Sequence, residues 1–280
     1  MRIVDFYVDR SEIKIIPLSD WHIGSPQCDE VLIKEVCDYI ENHDDVYCIL
    51  NGDLVDNNLR NSVGNVFDQT MSPLDQVVRA AYYLQGIAKK GKIINMTSGN
   101  HEDRGDKEGL SPSQLLLAKL MQYDPSLNER YCEDGAYTFL TLCRDANKKH
   151  KLTFTIFNLH GNGGGSKIGA KISRLDDMAN IIPAHIYIRS HTHQPETHRG
   201  LMMSVSLNNH TVREEPCVFV NCNAYLKYGG YGAKGGMKPL SRAIPVITLK
   251  MKRKQKQSKQ EKADNLYRYI DCQLVESLED

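Results

Sequence analysis

Residues 92–105 read KIINMTSGNHEDRG. The first six form a short apolar run of the kind that becomes a buried strand, and it breaks abruptly into Gly99, Asn100, His101, Glu102, Asp103 and Arg104. A turn needs Gly and Asn; it has no need of a histidine packed among charges. The same break recurs along the chain. EIKIIPL (12–18) runs into Ser19, Asp20, Trp21 and His22, and DVYCIL (45–50) runs into Asn51-Gly52-Asp53-Leu54-Val55-Asp56. LTFTIFNL (152–159) runs into His160-Gly161, and HIYIRS (185–190) into His191-Thr192-His193. Each strand candidate delivers metal-ligand side chains at its C-terminal end, the edge of an α/β sheet where ligands bind.

Between these runs lie helical patterns. Residues 29–43 carry Val31, Leu32, Val36, Tyr39 and Ile40 on one face, and Pro73 opens a helix that reaches about Lys90, where Gly91 closes it. The first hundred residues therefore read β-α-β-α-β, which implies parallel strands with helical crossovers. Ser111-Pro112 starts another helix through LLLAKLMQY. YTFLTLC and LTFTIFNL, on either side of the charged RDANKKHK, signal a hairpin. GNGGGSKIG (161–169) reads as flexible and is followed by a helix around 170–180; CVFVNC, AIPVITL and NLYRYIDCQLV are further strand candidates. The charge run MKRKQKQSKQEKA (251–263) has no apolar period and reads as a solvated arm. We expect one domain over 1–250 and a charged C-terminal extension, 251–280, with a last strand docked on that domain.

Composition narrows the class. The chain of 280 residues can bury a substantial core, and its hydrophobic fraction of 41% is ordinary for a globular protein. Lys plus Arg and Asp plus Glu both count 35, so there is no global pull toward nucleic acid or membrane. No apolar stretch approaches the roughly 20 residues of a membrane helix. MRIVDFYVDRSE has acidic residues where a secretory signal has its apolar core, so a cytoplasmic location is the expectation. None of the eight cysteines forms a CxxC pair, and several sit in apolar runs as reduced core residues.

Asp, His and Asn oxygens and nitrogens suit Mn, Fe or Zn, with no thiolate among them. In an extended Asp-x-His or His-x-His, alternate side chains share a face and can meet one ion. A carboxylate such as Asp53 can bridge two ions, and two metals about 3.5–4 Å apart can activate a water and hold both oxygens of an in-line displacement. Phosphoester hydrolysis is the reaction that most needs this. Taken singly, each piece has an ordinary reading: Asn51-Gly52-Asp53 as a turn, His191-x-His193 as a surface loop, GNGGG as a linker. His43, His150, His185, His198 and His210 lack such context and read as surface or satisfied core residues. Five pieces in order, each after an apolar strand, are not explained that way.

With these residues assembled, the chain resembles the calcineurin-like metallophosphoesterase superfamily, whose pattern is D-x-H, G-D-x-x-D, G-N-H-[ED], H and G-H-x-H. The matches are Asp20-Trp21-His22, Gly52-Asp53-Leu54-Val55-Asp56, Gly99-Asn100-His101-Glu102, His160 and His191-Thr192-His193, with Ser190 in place of the usual Gly. The resemblance implies a four-layered α/β/β/α sandwich and two divalent ions, of Mn, Fe, Zn or Ni. Asp20, His22, Asp53 and His193 would hold one; Asp53, Asn100, His160 and His191 would hold the other. His101 would protonate the leaving oxygen or stabilise phosphate charge, and the catalytic Asp56 would hydrogen-bond His101.

The protein phosphatases of that superfamily carry arginines where this chain has Asn57 and Ser98. Losing two bidentate phosphate donors argues for a phosphodiesterase or nuclease over a phosphatase, since a diester needs less cationic clamping. A phosphoester substrate, with DNA or RNA among the candidates, is the expected partner. Lys167, Lys171 and Arg174 after the glycines, the lysines Lys227, Lys234 and Lys238 interleaved with Tyr225, Tyr228 and Tyr231, and the run at 252–259 could track phosphates and stack bases. Bare amides of GNGGGSK could also meet phosphate oxygens. The alternatives are a phosphomonoesterase of the same fold and a non-catalytic metal-binding scaffold. Glu102, Asp103 and Arg104 have no role at this level beyond supporting their loop.

Overall fold

The computed structural model describes residues 1–60, 62, 66–106, 111–143, 150–163, 167–236, 238–253 and 266–278. Its strands are β1 (Arg2–Val8), β2 (Glu12–Leu18), β3 (Val46–Asn51), β4 (Ile93–Thr97), β5 (Tyr131–Cys132), β6 (Ala136–Cys143), β7 (Lys151–Leu159), β8 (Ile186–Arg189), β9 (Glu196–Ser206), β10 (Thr211–Asn221), β11 (Ile244–Arg253) and β12 (Leu266–Val275). Its helices are α1 (Glu30–Asn42), α2 (Pro73–Lys89), α3 (Asn100–Asp106), α4 (Pro112–Leu120), α5 (Leu127–Arg130), α6 (Ile168–Asp176) and α7 (Gly230–Lys234).

The strands form two sheets, ordered β1-β6-β7-β8-β10-β9 and β12-β11-β2-β3-β4-β5. Pairing is parallel along β2-β3-β4 and along β7-β8-β10, as the expected crossovers require. The alternation within each strand builds the layers. On β2, Ile13 and Ile15 face the other sheet, meeting Ile156, Ile186 and Val218 in an inter-sheet core, whereas Ile16 and Leu18 face α1 and α2. On the first sheet, Tyr187 and Phe219 turn outward onto Leu175 of α6. The result is a four-layered α/β/β/α sandwich.

Helix boundaries follow local chemistry. Asp29 accepts the Leu32 N–H and caps α1, Ser72 caps α2 ahead of Pro73, and Ser111 caps α4 ahead of Pro112. The YTFLTLC–LTFTIFNL hairpin is β6-β7, paired antiparallel.

Two strands correct the sequence reading. The first strand is Arg2–Val8 rather than 12–18; it pairs parallel with β6, a partner more than a hundred residues away, so no local pattern announces it. β9 shows no strand alternation in the sequence, because its outer face exposes Leu201, Met203 and Val205 instead of polar residues. The boundary at residue 250 falls within β11, and β12 hydrogen-bonds along β11 as the edge of the second sheet. Most of the 251–263 charge run lies outside the described residues. Among the described residues, no helix is long and apolar enough to cross a membrane. All eight cysteines are free, and six of them are buried.

Candidate metal centre

The five sequence breaks meet in space. Asp20 and His22 follow β2, Asp53 and Asp56 follow β3, Asn100 and His101 open α3 after β4, His160 follows β7, and His191 and His193 follow β8. These are C-terminal ends of parallel strands from both sheets, so one cleft collects them all. Its floor is buried (Asp20, His22, Asp53, Asp56, His160), and its mouth is half-buried (Asn100, His101, His191, His193).

Donor atoms face one another at ligand spacing. His193 Nε2 lies 3.1 Å from Asp20 Oδ1 and 3.2 Å from His22 Nε2. Asp53 Oδ2 lies 4.0 Å from His22 Nε2 and 3.1 Å from His160 Nε2, between the two halves of the cluster. Asn100 Oδ1 lies 3.2 Å from His160 Nε2 and 2.7 Å from His191 Nδ1. The groups Asp20-His22-His193 and Asp53-His160-His191 can each surround a cation, and His101 shares a third group with His22 and Asp53.

Three observations fit this site to cations. Asp20 Oδ2 accepts from Ser19 Oγ at 2.6 Å, while the buried Oδ1 has no well-aligned donor: His193 Nε2, itself a candidate ligand, stands 3.1 Å away without hydrogen-bond geometry. Such a carboxylate oxygen is costly unless a cation meets it. Second, Asp20, His22, Asp53, His191 and His193 all have positive φ, between 48° and 71°. For residues with a Cβ this costs of order 1–3 kcal/mol each, a strain retained where geometry serves function. Third, the charges of the site perturb one another strongly. Burial opposes charge on His160, but Asp53 outweighs it and pushes the imidazole up to about 10. Burial likewise opposes ionisation of Asp53, yet His160 and His101 hold its carboxyl well below the usual range. Burial, helped by His160, holds His191 down to about 4. A donor set that draws a proton this strongly onto one imidazole suits metal ions in its place.

The supporting atoms are mostly ones the sequence did not expose. His160 Nδ1 donates to the Asn51 carbonyl at 2.8 Å, which turns Nε2 toward Asp53. Asn51, read as a turn residue, ends β3, and its side chain reaches the other sheet: Nδ2 donates to Ser190 Oγ at 2.6 Å and to Leu159 O at 3.0 Å. Asn158 Nδ2 donates to Asn51 Oδ1 at 3.0 Å and to Asn95 Oδ1 at 3.1 Å. Ser190, the departure from the superfamily pattern, thus joins a buried polar bridge between sheets. The available signal was an Asn inside three otherwise apolar runs, CILN, IINMT and IFNL.

Glu102 has a definite task. Its buried carboxylate accepts the N–H groups of Asp53 (2.9 Å), Leu54 (2.8 Å), Val55 (3.3 Å) and Gly99 (3.1 Å). Burial and the Asp53 charge push it up to about 7 against those four donors. Gly52 and Gly99 make the approach feasible: a Cβ on Gly99 would sit 2.3 Å from Asp53 N, and one on Gly52 2.7 Å from Gly99 Cα. Glu102→Gln would turn an NH₂ against N–H donors. We expect a loss of roughly 2–4 kcal/mol in urea unfolding. A change below about 0.5 kcal/mol would show that the cradle is dispensable.

Asp56 requires a correction of detail. His101 Nδ1 donates to the Asp56 main-chain carbonyl at 2.5 Å; the carboxylate stands 3.7 Å from that nitrogen and 3.6 Å from His22 Nδ1. Burial and His22 hold His101 down to about 4.

The peripheral candidates divide. Lys171 donates to the Thr192 carbonyl at 2.9 Å, on the His191–His193 loop, and burial, helped by Lys238, disfavours its charge. Lys227 is paired with Asp29 at 3.4 Å. Tyr225 is fully buried against Trp21, so it cannot stack a base; Tyr228 is exposed. The Tyr231 side chain and residues 164–166 of the glycine run lie outside the described residues. Of the histidines set aside, His185 bonds Glu215 at 2.8 Å and His198 bonds Asp176 at 2.6 Å, remote from the cleft.

A family model described as calcineurin-like phosphoesterase matches residues 13–195. The chain belongs to that family. It is thereby a metal-dependent phosphoester hydrolase, and the Asp/His clusters are its candidate metal ligands. Among solved structures it is similar to a conserved uncharacterized protein of Streptococcus pneumoniae TIGR4, described as a predicted phosphoesterase. That likeness has 14% identity and a TM-score of 0.37, over 94% of this chain and 90% of the other. No curated protein matches the chain.

Proposed function

We propose that this phosphoesterase is a dinuclear phosphodiesterase, with nucleotides, DNA or RNA as its substrate class. The observation that carries the reading is the convergence of six donor side chains around Asp53, with Asp53 Oδ2 between His22 and His160. Asp20, His22, Asp53 and His193 would hold one divalent ion, and Asp53, Asn100, His160 and His191 the other. The thiolate-free donor set suits Mn, Fe, Zn or Ni. Bound there, the ions would supply a nucleophilic water at neutral pH and neutralise charge on the phosphoryl oxygens.

The chain does the rest. His101 Nδ1 is spent on the Asp56 carbonyl, so Nε2 faces the cluster, 3.9 Å from Asp53 Oδ2. In its protonated form the ring can give the Nε2 proton to the leaving oxygen or stabilise phosphate charge from there. The preference for a diester rests on what Asn57 and Ser98 do. Asn57 Nδ2 donates to the His101 carbonyl at 2.9 Å, and Ser98 Oγ donates to Asp103 Oδ1 at 2.8 Å. Both are buried and engaged internally, so neither clamps a dianionic monoester. Lys171 and Lys238 at the rim support a polyanionic substrate.

The test is hydrolysis of bis-p-nitrophenyl phosphate against p-nitrophenyl phosphate, after chelation and reloading with Mn²⁺ or Zn²⁺. Chelation should abolish turnover, reloading should restore it, and the diester should be preferred by about tenfold or more, roughly 1.4 kcal/mol of transition-state discrimination. Preference for the monoester would turn the reading to a phosphomonoesterase. Turnover of neither by metal-loaded protein would favour the scaffold. DNA, RNA and cyclic nucleotides tested in the same way would narrow the substrate.

A further inference from the structure

We propose that Arg104 is a substrate ligand of this site, its guanidinium binding a non-bridging oxygen of the phosphoester beside His101. The proposal rests on the phosphoesterase reading above and names the cation that reading lacks. Arg104 lies one turn after His101 on α3, and its Nη1 and Nη2 are each 3.0 Å from a ring nitrogen of His101, Nδ1 and Nε2 respectively. His101 Nε2 stands 3.9 Å from Asp53 Oδ2, so Arg104 Nη2 borders the space where a phosphoryl group would sit over the cluster.

The fork is held in place from behind. Nη1 donates to Asn58 Oδ1 at 3.0 Å, and Asn58 Nδ2 donates to Asp56 Oδ2 at 2.5 Å, so the guanidinium is tied to the loop that also carries Asp53. Among the described residues its side-chain acceptor is the Asn58 amide oxygen, and the guanidinium otherwise lies against the His101 ring; neither neighbour carries negative charge. A half-buried guanidinium with such partners keeps unspent charge and N–H donors, in a planar geometry that matches two phosphate oxygens. The neighbouring polar residues offer no substitute: Asn57 and Ser98 bond internally, and Lys227 is neutralised by Asp29. One guanidinium carries one positive charge, which suits the single negative charge of a diester.

The experiment uses the full chain loaded with metal, as wild type, Arg104→Gln, Arg104→Lys and Arg104→Ala. It reads metal content, kcat and KM for bis-p-nitrophenyl phosphate, and the inhibition constant of inorganic phosphate. Metal content should stay at the wild-type level. The phosphate inhibition constant and KM should rise roughly 10–100-fold in the Gln and Ala variants, as expected for losing a charge-assisted hydrogen bond. Lys should recover part of the loss because it keeps the charge, and millimolar guanidinium ion should partly rescue Ala. A residue that merely held His101 would lower kcat and leave phosphate inhibition unchanged; that result, or equal behaviour of Lys and Gln, overturns the proposal. Absence of metal-dependent turnover in the wild type is a different outcome, which removes the phosphoesterase reading and this inference with it.

Discussion

Asp53→Asn is expected to empty both proposed metal sites together. Elemental analysis after dialysis should find both ions depleted, and turnover at fixed metal should fall by ~10³-fold or more, given that each ion supplies several kcal/mol of charge stabilisation. The expectation follows from position. Asp53 Oδ2 is 3.1 Å from His160 Nε2 in one half of the cluster and 4.0 Å from His22 Nε2 in the other. It is buried and ionised, so the amide removes a negative charge that nothing else there replaces. The fold should survive. Asp53 Oδ1 accepts the His101 N–H at 2.9 Å, and an Asn carbonyl oxygen can do the same. Two ions retained at wild-type affinity would show that Asp53 is not the bridge.

His101→Ala should behave in the opposite way: metal content near normal, kcat down by roughly 10²–10⁴. His101 is within ligand reach of Asp53 and His22, with its ring centroid 4.3 Å from that of His22, so proximity alone does not exclude a ligand role. What sets it apart is the Asp56 carbonyl. That bond fixes the ring over the cluster, whereas Asn100, one residue earlier, places Oδ1 between His160 and His191. Metal loss in step with activity would make His101 a ligand. Retained activity would mean that leaving-group protonation comes from elsewhere.

Much of this was legible in the chain because the determinants are local. A short apolar run that ends in Asp-x-His, Gly-Asp, Gly-Asn-His, His-Gly or His-x-His announces both a buried strand and what its end presents, as β2, β3, β4, β7 and β8 do in turn. Pro73 and Pro112, each behind a serine cap, mark the helix starts for the same reason. β1 and β9 were illegible because their partners or faces depend on distant chain: β1 exists as a strand through β6, and β9 is an edge whose apolar outer face mimics no alternation.

The supporting atoms depended on three dimensions still more. Nothing in the string says that Glu102 turns back to gather four amides from Gly99 and the Asp53 loop, that Asn51 crosses to Ser190, or that Arg104 lies against both nitrogens of His101. Tyr225, placed by its spacing among rim lysines, is enclosed beside Trp21. Side-chain type and strand-end position, by themselves, determined the ligand candidates, their order and the layered α/β class, because periodicity and turn chemistry act over a few residues. The tertiary structure decided which donors face which, where the left-handed backbone is held, and which polar groups are spent internally. Those are properties of distances between segments some fifty to a hundred and seventy residues apart, as in the contact of His22 with His193, and only packing sets them.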